Sequence, residues 1–143
     1  MQSTAGPPSN EHSMPIPKDP EFPVSYVRVL AVAGWTCTGK TRFARDLAAR
    51  LSEWTPVVLS QDDYYRDTSH LTRKQRAEVN YDEPESYDLS VFAAHLDALR
   101  SGGRVPLWSY DFRTGVRQVR GTVGPTRLAI VEGVFAFWDP RVR

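Results

Sequence analysis

From Gly34 to Thr41 the chain reads Gly34-Trp35-Thr36-Cys37-Thr38-Gly39-Lys40-Thr41, which fits G-x-x-x-x-G-K-[ST]. The chemistry of that spacing is phosphate binding. Consecutive backbone N–H groups and the first turn of a following helix surround phosphate oxygens, Lys40 reaches the outer phosphates, and the Thr41 hydroxyl is a ligand for Mg²⁺. Farther on, Ser60-Gln61-Asp62-Asp63 supplies a carboxylate, Asp62, able to accept a hydroxyl proton or to take part in holding the metal. Glu132 closes a late apolar run and suits a cation held directly or through water. Lys40, Thr41, Asp62 and Glu132 together form a metal and phosphate constellation. Trp35 and Cys37 stand where such loops usually carry small residues and are expected to bring bulk to the phosphate's approach. Cys37 is either an inert small residue or a thiol near Lys40 and the helix N-terminus whose alkylation blocks nucleotide binding, with ATP protecting.

These groups converge only if strand ends bring them together. Residues 27–33 are a β-branched, nearly continuous apolar run ending at Gly34, read as a strand buried on both faces. Residues 42–51 follow with Phe43, Leu47 and Leu51 spaced by four, which predicts a helix burying that side. A second strand over 56–60 completes a strand, crossover helix, strand unit that should be parallel and right-handed. Ligands of such sheets sit beyond the carboxyl ends of the strands, where the phosphate loop and Asp62 both fall. Residues 61–87 are polar, aromatic and irregular apart from a short helix around 72–78. Asp88 is placed as the N-cap of a helix presenting Leu89, Phe92, Ala93, Leu96 and Leu99, stopped by Gly102-Gly103. Residues 105–112 and 116–123 read as a hairpin turning through Arg113-Thr114-Gly115. Residues 127–131 form a further buried strand that delivers Glu132 to the same sheet edge.

The chain has 143 residues, with 18 Lys and Arg against 17 Asp and Glu, a net charge of +1. That balance provides no general field for nucleic acid or an anionic membrane, so neither is expected as a partner. One cysteine cannot form an internal disulfide, no secretory leader is apparent, and the cytosol is the expected compartment. The longest apolar stretches fall far short of the roughly 20 residues that span a bilayer. Six of the eleven prolines precede residue 24, so residues 1–25 are expected to be a disordered tail and 26–143 the folded domain.

Five segments in order carry a resemblance: the phosphate loop, the stretch from Ser60 to Tyr65, Asn80-Tyr81-Asp82-Glu83-Pro84-Glu85-Ser86-Tyr87-Asp88, Tyr110-Asp111-Phe112, and the stretch from Val131 to Phe137. The chain resembles the uridine kinase branch of the uridine kinase/phosphoribulokinase family. The resemblance implies an α/β, three-layer P-loop fold with a mostly parallel sheet and an inserted β-hairpin. It also implies transfer of the γ-phosphoryl of ATP or GTP, with Mg²⁺, to the 5′-hydroxyl of uridine or cytidine, as in pyrimidine salvage. Asp62 would then accept the hydroxyl proton, Thr41, Asp62 and Glu132 would form the Mg²⁺ site, and Asp82 would bond the ribose hydroxyls. Tyr65, Tyr81, Tyr110 and Phe112 would line the nucleoside pocket.

Such proteins often assemble as homo-oligomers. They continue past the point matching Arg143 with a strand, an arginine-bearing lid and a final strand and helix, so the resemblance implies an incomplete kinase domain whose 27–33 strand has an exposed edge. Gly115 stands where a base-reading histidine is usual, Glu83 replaces the histidine of a His-Pro pair, and the loop lacks its usual second glycine. A different hydroxyl acceptor, or a nucleotide-binding interaction module without turnover, therefore stays open. His12, His70 and His95 have no ligand-like partners in the sequence and are read as structural or solvated.

Overall fold

The computed structural model describes residues 27–142, so the segment expected to be a disordered tail lies outside the described residues. Strand β1 (Arg28–Ala33) leads through the phosphate loop into helix α1 (Lys40–Arg50) and strand β2 (Val57–Ser60). Helices α2 (Arg73–Ala77) and α3 (Leu89–Arg100) follow, then the hairpin strands β3 (Val105–Asp111) and β4 (Val116–Val123), and finally β5 (Leu128–Gly133). Among the described residues no helix is long and apolar enough to cross a membrane.

Three strands pair in parallel in the order β1-β5-β2. The last strand therefore lies between the first two, with Arg28 opposite Leu128, Ala33 opposite Gly133 and Ser60 opposite Glu132. Every residue of β5 is buried, as its unbroken apolar run demands. Its side chains alternate: Leu128 and Ile130 pack with Ala44 of α1, while Ala129 and Val131 join Phe92, Leu96 and Leu99 of α3. Helix, sheet and helix make the three expected layers. The hairpin β3–β4 is a separate antiparallel pair with a bulge between Leu107 and Trp108.

Three expectations need correction. Strand β1 is half-buried rather than enclosed, with exposed ends, because among the described residues it pairs only with β5. Phe43 is 57% exposed. The stripe of α1 that meets the sheet is Ala44, Leu47, Ala48 and Leu51, an i, i+3, i+4, i+7 set that leaves Phe43 about one residue's rotation away. Asp88 precedes α3 as expected, but its carboxylate makes no capping hydrogen bond. It binds Arg117 at 2.6 Å and Arg66 at 3.1 Å, joining the helix start to the hairpin and the loop after β2. The short helix α2 does carry a reciprocal cap: Gln75 N–H donates to Thr72 Oγ1, and Thr72 N–H donates to Gln75 Oε1.

Candidate active site

The phosphate loop joins the end of β1 to the start of α1. Gly39 precedes the helix at φ +84°, a conformation that glycine adopts without strain. Cys37 holds φ +63° without that freedom, so the loop stores backbone strain at an exposed position. Thr38 Oγ1 and Lys40 Nζ both donate to the Trp35 carbonyl, at 2.8 and 2.6 Å. The loop is thus closed on itself by the ammonium group that the sequence assigns to phosphate.

Beneath the loop lies Glu132, 1% exposed on the central strand. Its Oε1 accepts from Thr41 Oγ1 at 2.9 Å and from Ser60 Oγ at 2.5 Å. The parallel register explains the second contact, since Ser60 ends β2 directly opposite Glu132. A buried carboxylate whose hydrogen-bond partners among the described residues are two hydroxyls suits a site where a cation is to bind.

Asp62 lies in the 3₁₀ turn Gln61–Tyr64 that follows β2. Loss of hydration at the cleft wall pushes its carboxyl above the ordinary range and the charge of Glu132 adds to this, while Lys40 opposes both. Asp63 is pushed up to about 6 by burial and then by Asp62, opposed by the Tyr110 backbone N–H and by Arg45. Thr41, Asp62 and Glu132 offer the all-oxygen donor set of a hard cation. Among the described residues, no group of three or more His, Cys, Asp or Glu is arranged to hold a metal unaided. Two carboxylates and the Thr41 hydroxyl fit Mg²⁺ by the chemistry of their oxygen donors.

Two cavities meet at the loop. The smaller, about 310 Å³, is lined by Thr36, Cys37, Gly39, Lys40, Thr41, Asp62 and Val134. The larger, about 750 Å³, is lined by Gly34, Trp35, Thr36, Asp82, Tyr87, Val134 and Phe135. Trp35 is 82% exposed and borders this larger cleft rather than the smaller cavity, so it does not crowd the phosphate pocket as the sequence suggests.

Tyr65, Tyr81, Tyr110 and Phe112 come together as one cluster, with Tyr65 within about 5.3 Å of the other three rings. Tyr65 and Tyr110 are buried, however, and Phe112 is 56% exposed. Of the expected acceptor residues, Asp82 alone lines the larger cleft. Tyr65 supports it from behind by stacking on Tyr87, with ring centres 4.0 Å apart. The 80–86 loop that carries Asp82 is held locally: Asp82 N–H donates to Asn80 Oδ1 at 3.0 Å, and Tyr65 Oη donates to Tyr81 O at 3.1 Å.

Three contributors escaped the sequence reading: Ser60, Tyr87 and Phe135. The signal for Ser60 was its position, a hydroxyl ending an apolar strand as Glu132 ends another. Tyr87 and Phe135 fall inside two of the segments that carry the resemblance, which assigns them no role. Gln61 is also fully buried, and its Oε1 accepts from Phe135 N–H at 2.7 Å. A Cβ at position 133 would come within 2.4 Å of the Gln61 side chain, so Gly133 permits this close approach. At Gly115, a Cβ would lie 2.3 Å from Thr68 Oγ1 and 2.8 Å from Arg76 Cδ. The position usual for a base-reading histidine is here filled by Thr68 and Arg76. His95 is structural as expected, its Nδ1 2.9 Å from Tyr64 Oη and its ring edge-on to Trp108.

Known proteins resemble the chain in sequence and in fold. The sequence profile of the phosphoribulokinase/uridine kinase family matches residues 29–143. A uridine kinase of Chloroflexus aurantiacus is 36% identical over 120 residues, covering 83% of this chain and 57% of its own length. One from Deinococcus deserti is 37% identical over 116 residues, covering 80% and 56%. The chain thus spans a little over half the length of these curated relatives. Among solved structures, a candidate fructose transport system kinase from Silicibacter sp. TM1040 superposes with a TM-score of 0.67 at 28% identity, covering 87% of this chain and 62% of that one. A candidate uridine kinase from Bacillus stearothermophilus gives 0.61 at 25% identity, covering 82% and 66%. With a phosphate loop between β1 and α1, Glu132 near the end of β5, Asp62 in the turn after β2 and a profile match over most of its length, the chain belongs to the phosphoribulokinase/uridine kinase family.

Proposed function

We propose that the protein is a nucleoside kinase that transfers the γ-phosphoryl of ATP or GTP to the 5′-hydroxyl of uridine or cytidine. The observation that carries this is the buried Glu132 carboxylate, bonded by Thr41 of the phosphate loop and Ser60 of β2, with Asp62 electrostatically coupled to it and to Lys40. The nucleotide's phosphates enter the smaller cavity. Lys40 exchanges the Trp35 carbonyl for phosphate oxygens, trading one hydrogen-bond acceptor for charged ones. Thr41, Asp62 and Glu132 would hold Mg²⁺, which neutralises phosphate charge when bound. Asp62 accepts the acceptor's hydroxyl proton, and its raised carboxyl affinity for protons suits it to do so. Asp82 accepts hydrogen bonds from the acceptor's remaining hydroxyls in the larger cleft.

The test is uridine-dependent ADP formation. Asp62→Asn should lower it by about 10²–10⁴-fold while ATP binding stays within about threefold. Retained turnover in that variant refutes the assignment of Asp62. The packing of Gly115 by Thr68 and Arg76 favours a second reading, in which the same chemistry serves another small hydroxyl compound. A panel of uridine, cytidine, ribulose 5-phosphate, pantothenate and fructose separates the two. ATP binding with no turnover on any acceptor would favour a nucleotide-binding module instead.

A further inference from the structure

The phosphate loop is divided between two cavities. Cys37, Gly39, Lys40 and Thr41 line the smaller one with Asp62, whereas Gly34 and Trp35 line the larger one with Asp82, Tyr87 and Phe135. Thr36 and Val134 belong to both and mark the boundary. Trp35, the loop residue with the largest side chain, thus borders the neighbouring space and not the smaller cavity. We propose that the Trp35 indole is a specificity-determining residue for the acceptor, providing a stacking face for a planar ring whose attached hydroxyls are held by Asp82. This rests on the kinase reading above and adds the residue that recognises the ring.

Three observations support the assignment. The indole is 82% exposed, and a tryptophan left in water is an unsatisfied apolar surface that a flat ligand covers. The cleft's other large side chains, Tyr87 and Phe135, are aromatic too, and their rings meet edge-on with centres 5.7 Å apart. A cavity of about 750 Å³ with aromatic lining and one carboxylate suits a ring bearing hydroxyls better than a chain of phosphates. The Trp35 carbonyl is also the group that holds Lys40. A nucleotide that draws Lys40 away removes a tether from the residue that faces the acceptor.

The experiment is calorimetric titration of uridine into the whole chain with a non-hydrolysable ATP analogue present, for wild type, Trp35→Phe, Trp35→Leu and Trp35→Ala. The expected result is uridine affinity within about threefold of wild type for Trp35→Phe and at least about tenfold weaker for Trp35→Leu and Trp35→Ala. Affinity for the ATP analogue should stay within about twofold in all four, which also reports an intact fold. Equal uridine affinity in wild type and Trp35→Ala overturns the inference alone. So does a leucine that serves as well as phenylalanine, or a loss that falls on the ATP analogue instead. A wild-type chain that binds the analogue but takes no nucleoside overturns both the inference and the reading beneath it.

Discussion

Arg117 offers a way to test whether the irregular loop after β2 is held by electrostatics or by packing. Its guanidinium is 2.6 Å from Asp88, lies over the Trp108 ring at 4.0 Å, and reaches the Tyr65 carbonyl at 3.4 Å. The Arg117 side chain is 20% exposed and that of Asp88 18%, whereas Arg66, the second partner of Asp88, is 60% exposed. Removing one member of a buried ion pair costs about 3–5 kcal/mol because the other charge is left unpaired. Here Arg66 remains and a fifth of each side chain meets water, while a cation–π contact worth about 1 kcal/mol is also lost.

Arg117→Ala should therefore destabilise by about 2–4 kcal/mol, and Arg66→Ala by no more than about 1 kcal/mol. In urea, with a slope of about 2 kcal/mol/M, the first variant should shift the unfolding midpoint by about 1–2 M and the second by no more than about 0.5 M. Far-UV circular dichroism at pH 7 follows both. The double variant Arg117→Ala/Asp88→Ala should cost little more than Arg117→Ala alone, since the two groups share one interaction. If Arg66→Ala costs as much as Arg117→Ala, or the double variant is additive, burial does not set the strength of this network.

Asp63 predicts a pH dependence. Its carboxyl is pushed up to about 6 from an unfolded value of 3.8, so the folded chain binds this proton more tightly than the unfolded one. Its contribution is therefore fully present below pH 3.8 and is lost as pH rises through about 6. Asp63→Asn should raise stability at pH 7 by about 1–2 kcal/mol after screening and have little effect at pH 4, and equal urea midpoints for both proteins at pH 7 refute this. Cys37 is exposed and lines the phosphate pocket, so full alkylation by a maleimide should abolish ATP binding and ATP should slow the reaction. Unchanged ATP binding by the fully alkylated chain would show that the thiol lies outside the nucleotide's path.

The groups at the strand ends were legible because the strands are. The apolar runs before Gly34, Ser60 and Glu132 are short and sharply bounded, and in a parallel sheet their carboxyl ends share one edge. The α3 stripe of Phe92, Ala93, Leu96 and Leu99 was equally plain. The α1 stripe was not, because the hydrophobicity of Phe43 outweighs that of Ala44 in any reading by residue type, whereas it is the fully buried Ala44 that packs with Leu128 and Ile130. Asp88 shows another limit: an acid before a helix has the signature of a cap, yet two arginines 22 residues behind and 29 residues ahead claim it. The division of the phosphate loop between two cavities could not be read at all. It depends on where Tyr87 and Phe135 stand, and both are placed by contacts between segments distant in sequence.

The central place of β5 has a further consequence, for the order in which the site comes into being. Strands β1 and β2 do not pair with each other, since among the described residues each is joined only to β5. During synthesis the phosphate loop and Asp62 emerge early, but the sheet that fixes their separation cannot close until residue 133 has left the ribosome. Closing contacts between residues about 100 positions apart is slow compared with forming the helices or the hairpin. Nucleotide affinity should therefore appear in one step, late, and together with the sheet, making ligand capture by a growing chain a measure of its folding.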